Sequence, residues 1–74
     1  MSRAINLSLP EAEVRVQCAA AGVSISAIEP LLSGGTHLVC RTGEGAEEIR
    51  LRLRDQIIEG TVQRIPFYRA AAPR

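Results

Sequence analysis

Arginines are the residues of this chain whose type and spacing could do chemistry. All nine basic residues are Arg, and there is no Lys. A guanidinium binds carboxylates and phosphates through paired, planar hydrogen bonds. The residues that we expect to bind a partner in this way are Arg41, Arg50, Arg54, Arg64 and Arg69. The sequence therefore predicts a surface for an acidic protein or for a phosphate backbone.

Acidic residues decide between these two partners. Glu47, Glu48 and Asp55 are interleaved with the arginines, and the net charge is only +1. This balance favours a solvated, salt-bridged helix over a face that binds nucleic acid. A protein partner is the first prediction. DNA or RNA binding by the arginine-rich face, with Tyr68 stacked on a base, is the alternative.

Catalytic and metal-binding residues are not predicted. His37 is the only histidine, and no recognisable motif places a nucleophile or an orienting carboxylate beside it. Cys40 follows His37 by three positions in a predicted strand, so the two side chains should point to opposite faces. We therefore expect no enzyme activity, metal or cofactor. Cys18 and Cys40 are expected to be buried, reduced thiols in a cytoplasmic protein.

Thr36–Thr42 is the strand around which the other elements are arranged. Gly34 and Gly35 precede it and Gly43 follows it. Its alternation predicts that Leu38 and Cys40 face the core, while His37, Val39 and Arg41 face solvent or a partner. A preceding strand is predicted over Val23–Ile28. Its inward side chains would be Val23, Ile25 and Ala27, and Pro30 would follow it.

Two helices are predicted. Ser8 and Glu11 fit a capping box, and this helix would run to about Ala21 and end at Gly22. Its buried face would contain Val14, Cys18 and Ala21, widened by Ala12, Val16, Ala19 and Ala20. The second helix would run from about Glu44 to Asp55, with Ala46, Ile49 and Leu53 inward. A strand over Ile49–Arg54 remains the alternative, because that segment also alternates.

A last strand is predicted over Thr61–Tyr68, with Ile57-Ile58 at its start. Placed beside Val23–Ile28, it would complete a three-stranded antiparallel sheet with both helices on one face. The fold class is thus α+β, a single two-layer domain of order α-β-β-α-β. Met1–Leu7 would be a short edge strand or a loose end, and Arg69–Arg74 a loose end.

The loop between the first two predicted strands contains Leu31 and Leu32, which would fold over the core edge or bind a partner. A domain of 74 residues has a thin core, and domains of this size commonly gain stability by oligomerisation. We expect a homodimer formed through an edge strand or the open sheet face. No segment has the length of a membrane span, so no membrane association is expected.

Two stretches resemble a known class of proteins. They are Ala27-Ile28-Glu29-Pro30-Leu31 with Gly34-Gly35-Thr36, and Gly60-Thr61-Val62-Gln63-Arg64-Ile65-Pro66. This pattern, over residues 20–68, resembles short uncharacterised proteins encoded in prophage-like regions of proteobacteria. The resemblance implies an accessory protein of a mobile element that works by binding. Inhibitors of bacterial defence systems are among such proteins, and the resemblance assigns no functional residues.

Overall fold

A three-stranded antiparallel sheet covered on one face by two helices forms the structure, a computed structural model that describes residues 2–59. The elements are β1 Ala4–Leu7, α1 Glu11–Ala21, β2 Ile25–Pro30, β3 Thr36–Cys40, α2 Gly43–Arg52 and a 3₁₀ turn over Arg54–Gln56. The strand order is β1-β3-β2. This arrangement confirms the predicted α+β class with a three-stranded sheet and two helices.

The third strand comes from the N-terminal end of the chain. Ala4–Leu7 pairs with β3, and Ile5 lies opposite Leu38. Ile5 and Leu7 are buried among the side chains of the core. The described elements therefore begin with an edge strand. Of the two alternatives for Met1–Leu7, the edge strand is confirmed over Ala4–Leu7, and the loose end was wrong there. The strand expected over Thr61–Tyr68 lies outside the described residues.

The start of that expected last strand lies beside β1. Ile57 forms an antiparallel bridge with Leu7, and the amide of Ile58 donates to the carbonyl of Asn6 at 2.8 Å. Because β1 and β2 are at opposite edges of the sheet, Ile57-Ile58 is two strands away from β2. The prediction that this segment pairs with β2 was wrong for these two residues.

A register shift changes which residues of β2 face the helices. Ile25 lies opposite Cys40, but Ala27 lies opposite Val39, so β2 has one extra residue at Ser26. An extra residue reverses the alternation of side chains beyond it. Ile25 and Ile28 consequently pack on the core, whereas Ala27 is exposed. The inward position predicted for Ala27 was wrong.

The first helix ends as predicted but begins differently. Gly22 adopts a left-handed conformation, with φ of 72°, and its amide donates to Ala19 and Cys18 carbonyls. At the other end, Pro10 is the N-cap and no side chain caps the helix. Ser8 Oγ donates instead to Gln56 Oε1 at 2.7 Å. The capping box is therefore absent, because the hydroxyl group of Ser8 bonds to Gln56 in the 3₁₀ turn and not to the start of α1.

The second helix includes Ile49–Arg52, so these residues do not form the alternative strand. Thr42 caps α2, since its side chain accepts a hydrogen bond from the Gly45 amide at 2.9 Å. Ala46 and Ile49 are buried, and so is Leu53 at its C-cap. Arg52 pairs with Glu48, one helical turn earlier, at 3.3 Å. In this segment the buried side chains therefore follow the spacing of a helix and not the alternation of a strand.

Both cysteines lie in this core as free thiols. Cys18 of α1 and Cys40 of β3 belong to one cluster with Leu7, Leu38 and Ile49. Burial raises the pKa of the Cys18 thiol, and the neighbouring Cys40 raises it further. Burial also raises the pKa of Cys40, with a smaller opposing effect from Arg50. Both groups are therefore held as neutral thiols and act as small apolar side chains.

Candidate binding surfaces

The first helix is apolar on two sides, and only one side is buried. Val14 and Cys18 are the buried residues of α1. Its second apolar stripe is exposed to solvent and consists of Ala12, Val16, Ala19 and Ala20. Val16 is 59% exposed. The prediction that these residues widen the buried face was wrong, because the sheet and α2 cover only the Val14–Cys18 side.

Leu51 adds a large apolar side chain to the second helix. It is 70% exposed and is two positions from both Ile49 and Leu53, which are buried. Two positions correspond to about 200° around a helix, so Leu51 points away from the sheet. We call Val16, Leu51 and the three exposed alanines of α1 the outer helical surface. Sequence reasoning assigned the α1 residues to the core and overlooked Leu51.

The two leucines of the β2–β3 connection have different environments. Leu31 is 5% exposed and Leu32 is 59% exposed. The amide of Leu31 donates to the carbonyl of Gly35 at 2.9 Å, which closes the turn. Leu31 is therefore a buried structural residue, and Leu32 is the member of the pair that a partner can reach.

Arg50 is bound within the protein. Its Nη2 donates to the carbonyl of Ser2 at 2.8 Å and to that of Ala4 at 3.2 Å. Its Nη1 lies 3.4 Å from a carboxylate oxygen of Glu47. These contacts hold the start of β1 against α2. The predicted partner-binding role of Arg50 consequently competes with a structural one.

Arg41 lies at an open cavity between the end of α1 and the start of α2. The cavity has a volume of about 530 Å³, and its lining includes Ser24, Thr42, Glu44 and Glu48. The two glutamates bring negative charge to the same opening. This mixture of charges gives a phosphate less attraction than an isolated arginine cluster would.

The remaining predicted arginines do not join Arg41 in the described part of the chain. Arg54 is exposed at the start of the 3₁₀ turn. The candidates that fall outside the described residues are Arg64, Arg69 and Tyr68. Leu32 lies before β3 and Arg41 after it, so the strand separates them by roughly 17 Å. The candidate residues that can be located thus form no single site.

The sheet face away from the helices has a histidine in its central strand. His37 Nδ1 lies 2.7 Å from Asn6 Oδ1, and Glu29 is its partner in β2. His37 is only 8% exposed, so its prediction as a solvent-facing residue was wrong. Cys40 lies on the core side, as the strand alternation predicted. Within residues 2–59, no three His, Cys, Asp or Glu side chains converge as metal ligands.

The outer edge of β1 is closed by groups of the same chain. Ser8 donates its amide to the carbonyl of Gln56 at 2.7 Å, next to the Ile58–Asn6 bond. Further along, Ala4 donates its amide to Ser2 Oγ at 3.1 Å, and its carbonyl accepts from Arg50. An edge whose backbone groups are paired is a poor template for another strand.

No family model, curated protein or solved structure matches this chain. Neither helix in residues 2–59 has the length and apolar character needed to cross a membrane.

Proposed function

We propose that this protein is a non-catalytic binding module that docks on another protein through the outer helical surface. The observation that supports this proposal best is the two-sided apolar character of α1. A surface helix normally has one apolar stripe and polar residues elsewhere. Here Val14 and Cys18 are buried, yet Val16 remains 59% exposed. No part of the described structure covers the second stripe, and its apolar side chains are suited to contact with a partner protein.

Charge around this stripe supports a protein partner over nucleic acid. Arg15 on α1 is paired with Glu11 at 2.9 Å, and Arg52 on α2 with Glu48 at 3.3 Å. Paired charges around apolar residues are typical of the rim of a protein interface. A phosphate backbone would need unpaired cations instead. Among the located arginines, Arg15, Arg50 and Arg52 pair with glutamates, and Arg41 lies at the cavity lined by Glu44 and Glu48.

The resemblance to prophage-encoded proteins suggests where the partner would be found. A small binding module of a mobile element acts on a protein of the bacterial host, and an inhibitor of a host defence system is the specific form that we propose. Self-association is a second part of the proposal, since a thin core gains stability when copies pair. Both activities require binding surfaces and no reaction centre.

The proposal is tested by capture from a proteobacterial lysate, with Val16→Glu and Leu51→Glu as disrupting variants. Both side chains are exposed, so the substitutions should leave the fold intact. Leu32→Glu is the matched control, because Leu32 is as exposed as Val16, lies in the β2–β3 connection and gains the same carboxylate. Loss of a defined bound protein in the first two variants alone supports the proposal. Salt-sensitive binding to a short duplex, lost in Arg54→Glu, would instead support nucleic-acid recognition.

A further inference from the structure

The sheet face away from the helices, which we call the far face, is buried at its centre. Leu38 and Cys40 of β3 point into the core beneath the helices, so His37 and Val39 point to the far face. His37 is nevertheless only 8% exposed, and Val39 is half-buried. Side chains stand roughly perpendicular to a sheet, so the neighbours of His37 in β1 and β2 flank its ring without lying over it. Neither described helix covers this face.

The described part of the chain ends beside this buried histidine. The amide of Ile58 donates to the carbonyl of Asn6 at 2.8 Å, at the outer edge of β1. Asn6 is the direct partner of His37 in the sheet. Two strand spacings, or about 10 Å, therefore separate Ile58 from the central strand. Residues 60–74 consequently begin near the most buried side chain of the far face.

The chain after Ile58 cannot continue along the edge of β1. Outward-pointing backbone groups alternate along a strand, so Ala4 carries the next ones after Asn6. Its amide already donates to Ser2 Oγ, and its carbonyl accepts from Arg50 of α2. Arg50 also occupies the helical side of this edge, which leaves the far face as the neighbouring surface. Three or four extended residues cross the required distance of about 10 Å.

The composition of residues 60–74 fits the far face. This segment contains three arginines and no acidic residue, while Glu29 lies beside His37 on that face. It also contains the only phenylalanine and the only tyrosine of the chain among four large apolar side chains, namely Val62, Ile65, Phe67 and Tyr68. Because the segment is attached to the domain, its effective concentration at the far face is high. A second copy would also lose translational and rotational freedom on binding there.

We infer that the far face is the docking site of this chain's own C-terminal segment, residues 60–74. The rings of Phe67 and Tyr68 supply the apolar cover over His37 and Val39, and the arginines of the segment complement Glu29. The sheet is then covered on both faces, which enlarges the thin apolar interior. The inference does not depend on the outer helical surface, and it makes the far face unavailable to a second copy.

Proton NMR of the full chain tests this docking directly. The aromatic side chains of the protein are only His37, Phe67 and Tyr68, so their signals are readily distinguished. We expect nuclear Overhauser contacts from the rings of Phe67 or Tyr68 to the His37 ring or to the Val39 methyl groups. A mixture of isotope-labelled and unlabelled protein separates contacts within one chain from contacts between two copies, and we expect the former.

A second measurement uses the reactivity of His37, the only histidine. Its rate of modification by diethyl pyrocarbonate should rise by about tenfold or more in Phe67→Ser, because the lost apolar burial frees the segment from the far face. Leu51→Ser, which shortens an exposed side chain on the opposite side of the molecule, is the control and should leave the rate unchanged. Circular dichroism checks that both variants keep their fold, and the NMR contacts test the inference independently of them.

Three results would overturn the inference. They are the absence of ring contacts with the far face, contacts that arise only between different copies, and an unchanged His37 rate in folded Phe67→Ser protein. Ring contacts with Val16 or Leu51 instead would place the segment on the outer helical surface. Capture of a host protein is measured separately, so failure of this docking is distinguishable from failure of the proposed function.

Discussion

Arg50 Nη2 lies 2.8 Å from the carbonyl oxygen of Ser2, a residue 48 positions earlier in the chain. The same nitrogen also bonds to the carbonyl of Ala4. The guanidinium thereby fixes the N-terminal strand to α2 and pairs backbone groups that would otherwise lie at an open edge. An arginine that the sequence assigned to partner binding is thus part of the fold.

Replacing Arg50 should therefore cost stability. Arg50→Ala removes charge-assisted hydrogen bonds to two carbonyls, and we expect the free energy of unfolding to fall by about 1–3 kcal/mol. Arg54→Ala is the control, since Arg54 is exposed, and a change within about 0.5 kcal/mol is expected there. Urea denaturation measures both variants. Equal midpoints for the two would contradict a structural role for Arg50.

Gly35 should be far less replaceable than its neighbour. Both glycines have positive φ, 101° at Gly34 and 94° at Gly35, but only at Gly35 would an added Cβ meet backbone atoms, those of Leu7 and Ser8. Gly34→Ala should cost about 1–3 kcal/mol from backbone strain. Gly35→Ala should cost a further ~1–3 kcal/mol, because β1 must shift. Thermal unfolding of the two variants provides the comparison, and the account fails if Gly34→Ala is the more damaging.

Alkaline pH should destabilise the protein through its buried thiols. The folded-state pKa values of Cys18 and Cys40 are raised above the ordinary value of 9.0. Above about pH 9 the unfolded chain therefore loses these protons first, and the free energy of unfolding falls as pH rises towards the folded-state values. A double Cys→Ala variant should show a shallower decline between pH 8 and 10 in urea denaturation. Parallel profiles for the two proteins would refute this explanation.

The cap of α2 should depend on a hydroxyl group. Thr42→Ala removes the acceptor for the Gly45 amide and should destabilise the protein by about 1 kcal/mol. Thr42→Ser keeps the acceptor and should remain close to the wild type. Chemical denaturation and the helical circular-dichroism signal measure the difference. If serine and alanine lower stability equally, the methyl group of Thr42, not its hydroxyl, is the stabilising feature.

Local patterns predicted much of the architecture. Positive φ at Gly22 follows from the end of an apolar helix, and the burial of Ala46, Ile49 and Leu53 follows from helical spacing. The alternation in β3 placed Leu38 and Cys40 correctly. These features depend on neighbouring residues, so the sequence contains the information directly.

Features that depend on distant contacts could not be predicted in this way. Ser8 is a good cap by its type, but Gln56 competes for its hydroxyl group, and no local pattern reveals that pair. The single extra residue at Ser26 reverses the faces of Ala27 and Ile28, although the alternation itself looks regular. Likewise, the sequence shows that α1 has apolar residues on two sides. It does not show that the sheet and α2 cover only one of those sides.

Photo-cross-linking from position 51 tests the central claim most directly. A photoreactive phenylalanine analogue at Leu51 should link the protein to one host protein in a proteobacterial lysate, and excess wild-type protein, but not Val16→Glu protein, should prevent the adduct. The same analogue at Leu32, exposed at the β2–β3 connection, should give no such adduct. An adduct formed from position 32 but not from position 51, or one that Val16→Glu protein prevents equally well, would contradict docking through the outer helical surface.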